Sequence, residues 1–229
     1  MKKILVAGAT GRTGRILVEK IIERSQTPHV LVRDIDAARH LFSDSVIYHR
    51  GDVREAETLL PCLSGINTVI SAVGANIPVG PNCPKRVDYE GVTNLIQAAH
   101  QQNVERFILI SSIAVTRPDH PLNRFGRVLE WKFRAESVLR GSGLRYTIIR
   151  PGGLTDIRGG TRQLTFSQGD QVMGVISRSD LAEACLRSFD YPQSNCTTFE
   201  IIEAGDQDGR PGWPALFHSL AADRIGRPC

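Results

Sequence analysis

The chain begins with a short apolar run, Ile4-Leu5-Val6-Ala7, that passes directly into Gly8-Ala9-Thr10-Gly11-Arg12-Thr13-Gly14. Apolar residues at helical spacing follow at once: Ile16, Leu17, Ile21 and Ile22. No other feature restricts the fold as strongly. A strand that enters a helix through G-x-x-G-x-x-G brings the backbone close to an anionic group and sets free N–H groups of the helix N-terminus against its charge. Glycine triplets alone are common. One placed between a strand and a helix, with a second strand next, has the context that pyrophosphate binding requires. Lys2 and Lys3 ahead of an apolar run resemble the start of a signal peptide, but Gly8, Thr10, Gly11 and Arg12 break the run too early, so it reads as a first strand.

Beyond the motif, β-branched runs alternate with helical patterns, the signature of a parallel sheet with crossover helices. Strands are expected near 3–7, 29–33, 46–49, 68–73, 106–111 and 145–150, with weaker signals at 172–176 and 198–202. Helices are expected at 12–24, 88–102, 124–140 and 179–189, the last capped by Ser179 or Asp180. The fold class is therefore α/β, a doubly wound parallel sheet (Rossmann fold) forming one domain over residues 1–203, with a small substrate region at roughly 151–203. A chain of 229 residues, 41% hydrophobic and 23% charged, can bury one sizeable core.

Two stretches fall outside the alternation. Residues 74–85 carry Pro78, Pro81 and Pro84 and form a long loop past the fourth strand. Residues 204–229 form a tail with a short helix expected at 214–222; it either packs back onto the domain or engages a protein partner through Trp213, Pro214 and Phe217.

No apolar run approaches the ~18 residues of a membrane span. The net charge of +4, without a run of bases, argues against nucleic acid and suits a site for an anionic nucleotide. The five cysteines (62, 83, 185, 196 and 229) and six histidines show no ligand spacing, so no metal site is expected. The cysteine usage suits a reducing, cytoplasmic setting.

About twenty residues past the glycines, an acidic side chain ending the second strand would bind a ribose 2′-hydroxyl and favour NAD. Here Arg33 stands first and Asp34 follows. A guanidinium grips a 2′-phosphate bidentately, with Arg12 able to approach from the glycine loop; the competing reading has Asp34 taking the ribose. The favoured cofactor is NADP(H).

On these motifs the chain resembles the atypical short-chain dehydrogenases/reductases. Asp52 in Gly51-Asp52-Val53 resembles the family's adenine-contacting aspartate, and Ser71-Ala72-Val73-Gly74 its segment beside the adenosine ribose. Ser111-Ser112 ends the fifth strand where the family keeps an active-site serine. Pro151-Gly152-Gly153 resembles the loop along the nicotinamide, and Lys132 stands at the position of the family's lysine. The segment from Gly126 to Glu136, with Tyr146 to Leu154, is similar to a cyanobacterial and plant subgroup of small NADP-binding members. The resemblance extends more loosely to the flavin reductase/biliverdin reductase B group and to NmrA-like proteins.

The departure from the pattern is informative. Catalytic members carry Tyr-x-x-x-Lys, whereas Val128 stands four residues before Lys132 and cannot transfer a proton. The resemblance then implies hydride transfer from NADPH to a planar small-molecule acceptor needing little proton help, such as a flavin, quinone or bilin. Ser112 would be the hydrogen-bond donor, unless it satisfies a strand-end backbone group instead. The alternative is an NADP(H)-binding redox sensor or assembly protein with little turnover, which needs exposed apolar surface. A monomer or weak dimer is expected.

Overall fold

The computed structural model describes residues 2–42, 44–204 and 212–223. In chain order the elements are β1 (Ile4–Ala7), α1 (Arg12–Glu23), β2 (His29–Val32), α2 (Ile35–Arg39), β3 (Ile47–Arg50), α3 (Leu59–Cys62) and β4 (Thr68–Ser71). There follow a π-helical segment (Lys85–Gly91), α4 (Val92–Gln101), β5 (Arg106–Ile110), α5 (Val128–Arg140), β6 (Tyr146–Pro151), β7 (Gly153–Thr155) and β8 (Gln163–Ser167). The last are β9 (Val175–Ser177), α6 (Arg178–Arg187), β10 (Thr197–Ala204) and α7 (Trp213–His218).

One sheet runs in the order β3-β2-β1-β4-β5-β6-β10-β8, parallel throughout except where β8 pairs antiparallel with β10. The order of the strands reverses between β1 and β4, which themselves pair in parallel. There the connections leave for opposite sides and a crevice opens at the carboxyl ends of the strands. Side chains alternate across the sheet, and both faces are covered over its middle, so β1, β2, β4 and β5 are mainly apolar on both sides while the edge strands β3 and β8 are partly exposed. Ile4, Val6, Val30, Ile70, Ile108 and Ile149 pack on the side of α1 and α6. Leu5, Ala7, Leu31, Val69, Phe107, Leu109 and Ile148 pack on the side of α3, α4 and α5.

Several sequence expectations shift. The helix expected from 88 begins as the π-helical segment, with α4 starting at Val92. The helix expected from 124 starts at Val128, because Gly126 and Arg127 take left-handed φ values of 56° and 59° and break it. A Cβ on Gly126 would lie 2.4 Å from the carbonyl oxygen of Pro78, so the 74–85 loop abuts this turn. The strand expected at 172–176 narrows to β9, which pairs with the unforeseen β7 in a separate two-stranded sheet. β8 was also unforeseen; its pairing with distant β10 decides it, not local pattern.

Neither Ser179 nor Asp180 caps α6. Ser177 does, its Oγ accepting from Asp180 N at 2.9 Å, while the Asp180 carboxylate accepts from Gly160 N at 2.7 Å. The short tail helix covers Trp213–His218, not 214–222. Its Phe217 is fully buried against Phe166, Phe199 and Tyr191, so this ring is not the exposed contact expected there, while Trp213 is half-buried and Pro214 exposed. Among the tail residues, 205–211 and 224–229, with Cys229, lie outside the described part. No helix among the described residues is long and apolar enough to cross a membrane.

Candidate functional site

A cleft of about 350 Å³ opens at the carboxyl ends of β1, β2 and β4. It is lined by Gly8, Thr10, Gly11, Leu31, Val32, Arg33, Gly51, Asp52, Val53 and Arg54 from the first half of the sheet, and by Ala72, Val73, Gly74, Ala75, Asn76, Asn82 and Val87 beyond β4. Nine residues singled out from sequence therefore meet here: Gly8, Thr10, Gly11, Arg33, Asp52, Val53, Ala72, Val73 and Gly74.

The glycines are required sterically. Gly8 has φ +77°, and a Cβ on it would stand 2.6 Å from the carbonyl oxygen of Ala72. A Cβ on Gly14 would stand 2.1 Å from the carbonyl oxygen of Gly8, so Gly14 does not line the cleft but lets α1 press against the turn. Gly11 N donates to Gly8 O at 3.0 Å and closes that turn. α1 starts with neither a side-chain cap nor an acidic residue in its first turn, where Thr13 sits, so its N-terminal N–H groups keep their capacity for an anion.

Arg33 and Asp34 have separate tasks. Asp34 Oδ1 accepts from Ala37 N at 3.0 Å and caps α2, so this oxygen is committed to the helix. Arg33 lies exposed on the cleft wall and makes no hydrogen bond or ion pair among the described residues. Arg12 does not line the cleft; its Nη1 bonds Asp156 Oδ2 at 3.0 Å.

Of the cleft residues that the sequence reading did not single out, Arg54 and Asn82 make side-chain bonds across it. Arg54 grips the Asp52 carboxylate, with Nε at 3.0 and 3.1 Å and Nη2 bonded as well, and reaches Asn82 Oδ1 at 2.9 Å. These bonds hold the Asp52 carboxyl below its ordinary range although burial opposes them, and they strap the 74–85 loop across the cleft. The signal available was an arginine two residues after the aspartate; Asn82 gave none.

The other predicted residues gather past β4. A narrow crevice is lined by Val73, Asp88, Val92, Leu109, Ile110, Ser111, Lys132 and Ala135. Lys132 Nζ lies 2.7 Å from Asp88 Oδ1; their side chains are 18% and 0% exposed. Asp88 Oδ2 accepts from Ala75 N at 2.9 Å, so one buried carboxylate joins the π-helical segment, α5 and the loop after β4. Asp88 is a further site residue that sequence missed, its placement being the work of the π-helical segment.

Ser111 is buried at the crevice and its Oγ has no hydrogen-bond partner; Ser71, closing β4, is likewise buried and unpartnered. Ser112 Oγ donates to the carbonyl oxygen of Ile113 at 3.0 Å, the backbone role. Ile113 N in turn donates to Pro151 O at 3.1 Å and joins the ends of β5 and β6. Gly152 lies so close to Gly174 that a Cβ would stand 2.5 Å from its carbonyl oxygen, and Gly153 N donates to that oxygen at 2.9 Å. Val128 packs with Ala114, Val115 and Leu129.

Buried ion pairs fix the helix that carries Lys132. One turn further along α5, Glu136 takes Arg150 of β6 at 3.0 and 2.6 Å, and Arg150 reaches Glu200 of β10 at 3.3 Å. Burial pushes the Glu200 carboxyl up. Asp170 accepts from Ala114 N at 2.6 Å and from Thr116 N at 2.9 Å, which fixes the loop after Ser111-Ser112.

A nicotinamide dinucleotide suits these residues: glycines where any Cβ would collide, an uncapped helix start, a free guanidinium and two orphaned buried hydroxyls. The comparisons agree. The model of a family described as NAD(P)H-binding matches residues 8–192. Sanguinarine reductase of Eschscholzia californica is 31% identical over 240 residues, covering 86% of this chain and 88% of its own. The photosystem II assembly factor Ycf39 of Trieres chinensis is 30% identical, over 92% of this chain and 65% of its own. The crystal structure of the oxidoreductase ylbE from Lactococcus lactis shares the fold, with a TM-score of 0.79 at 24% identity, covering 95% of this chain and 96% of that one. The chain belongs to the NAD(P)H-binding family of atypical short-chain dehydrogenases/reductases.

Proposed function

From that membership we propose that the protein is an NADPH-dependent reductase of a planar acceptor, a flavin, quinone or bilin, working without a tyrosine acid/base. One observation carries the reading: Val128 replaces the tyrosine, and Lys132 is paired with the buried carboxylate of Asp88. The side chains around the crevice are thus poor at transferring protons, and an acceptor whose reduced anion is delocalised needs no such transfer. NADPH when bound supplies the hydride.

The chain's own residues bind and orient. The glycine loop (Gly8, Thr10, Gly11) and the start of α1 hold the pyrophosphate, Arg33 the 2′-phosphate, and Asp52, Val53 and Ala72 to Gly74 the adenosine. Ser111 and Lys132 face the nicotinamide ribose, with Pro151 to Gly153 along the ring. Ser111 replaces Ser112 as the side chain with a donor to spare. Exposed Ile77, Val79, Leu122 and Leu154 lie on segments that follow β4, β5 and β6, with Val175 on β9 paired to β7, and offer apolar surface to a flat ring.

The test is oxidation of NADPH with FMN, riboflavin, quinones and biliverdin as acceptors and NADH as control. Turnover preferring NADPH is expected. Arg33→Ala should weaken NADPH about 10–100-fold and leave NADH unchanged, the loss of a charge-assisted phosphate contact. NADPH binding without turnover of any acceptor would favour an NADP(H)-binding sensor or assembly role, a reading prompted by Ycf39's description as an assembly factor.

A further inference from the structure

α1 and α6 lie side by side, tied by Glu183 of α6, which takes Lys20 at 3.4 Å and Arg24 at 2.8 Å. Their first residues are Arg12 and Arg178, and both guanidiniums close on one carboxylate. Arg12 Nη1 meets Asp156 Oδ2 at 3.0 Å, and Arg178 Nη1 meets Asp156 Oδ1 at 2.6 Å. The small sheet sets this up: Thr155 of β7 is in register with Ser177 of β9, so Asp156 and Arg178 come next along paired strands.

The exposures are unequal. The Arg178 side chain is 8% exposed, that of Asp156 62% and that of Arg12 70%. A buried cation is thus neutralised by a carboxylate that stands largely in water, so an anion arriving from solvent can take its place without leaving Arg178 unpaired. Two guanidiniums close on this single carboxylate, so the trio keeps a net positive charge with Asp156 present. The other acid of the α6 start, Asp180, is occupied with Ser177 Oγ and Gly160 N. The cluster also joins the glycine loop to the segment that follows Pro151 to Gly153, where a ligand reaching across the cleft would bring its charged end.

We propose that Arg12 and Arg178 form an anion subsite beside the dinucleotide cleft, in which Asp156 stands in for a phosphate or carboxylate of a ligand and swings aside on its arrival. Paired guanidiniums suit an anion with several oxygens better than a single carboxylate does. The anion belongs either to the acceptor or to the cofactor's phosphates. The site itself does not depend on the reductase reading; only its use by an acceptor does.

Asp156→Ala leaves both guanidiniums without their internal partner. In thermal melts, inorganic phosphate should then raise the Tm of Asp156→Ala more than that of the wild type. The double variant Asp156→Ala/Arg178→Met, which no longer buries an unpaired charge, should lose that extra protection. Equal protection of all three proteins would overturn the proposal. The source of the anion follows from flavin fluorescence and calorimetry. FMN and riboflavin differ by one phosphate, and if the acceptor supplies the anion Asp156→Ala should tighten FMN about tenfold with riboflavin unchanged. Tightening of NADPH alone assigns the subsite to the cofactor. Equal tightening of FMN and riboflavin would count against an anion site. Phosphate protection in a protein that turns over no acceptor would keep the subsite and sink the reductase reading.

Discussion

The glycine-loop end of the cleft and the Lys132 end are built from different materials. At the first, backbone and small residues make much of the surface, and the geometry follows from what is missing: no Cβ at Gly8 or Gly14, no side-chain cap on α1 and, among the described residues, no hydrogen bond or ion pair for Arg33. At the second, charged side chains buried in pairs hold everything, Asp88 with Lys132 and Glu136 with Arg150. A surface of backbone recognises what all dinucleotides share. A lattice of ion pairs fixes particular side chains around a reacting centre, at a desolvation cost that only good geometry repays.

Gly8→Ala strikes the first end hardest. The φ of +77° and the approach to Ala72 O leave no room, so it should destabilise the fold by about 2–4 kcal/mol. Cofactor affinity should fall at least about a hundredfold, as read by calorimetry on the folded fraction. At the second end, Asp88→Ala strands the Lys132 ammonium and should cost about 3 kcal/mol in denaturant unfolding. Asp88→Leu/Lys132→Met removes both charges and should recover most of that stability while activity stays low. If the double variant is no more stable than Asp88→Ala, the pair is not what holds this end.

Acidity should act away from both ends. His29 Nδ1 lies 2.8 Å from His49 Nε2 where β2 and β3 run together. Burial, with His49 and Lys3 nearby, pushes His29 from its ordinary 6.5 down to about 4. Between those values the unfolded chain binds the proton that the folded chain refuses, so stability is full above 6.5 and declines toward pH 4, by up to about 3 kcal/mol. Urea midpoints across that range, against His29→Val, check it; a variant with the same acid sensitivity would clear the histidine pair. The smallest effect expected lies at the serines. Ser111→Ala should lower turnover several-fold, about the worth of one neutral hydrogen bond, and Ser112→Ala should change it less than about twofold. The reverse order would restore Ser112 to the role the sequence suggested.

The contrast also tracks what could be read in advance. That Gly8, Thr10, Gly11, Arg33, Asp52 and Ala72 to Gly74 meet in the cleft was legible because each is a local requirement: a turn, a strand end, a helix start. Asp88 was not, because its carboxylate acts through a lysine 44 positions away, counted from 88 to 132. Arg54 was passed over although Asp52 stands two residues before it, because its other partner, Asn82, lies on a separate loop. Phe217 read as a candidate contact for a partner, and only the aromatic cluster with Phe166, Phe199 and Tyr191 shows that the chain itself covers it.

The sequence by itself determined the alternation of strands and helices, the parallel sheet and the dinucleotide loop, since periodicity and glycine sterics act over a few residues. Tertiary structure decided which serine keeps a free hydroxyl, what neutralises Lys132, and that Arg12 turns to Asp156 rather than toward Arg33. Those are choices among partners far apart in the chain, and the free energy of a buried charge or donor is set by whichever partner folding brings within reach.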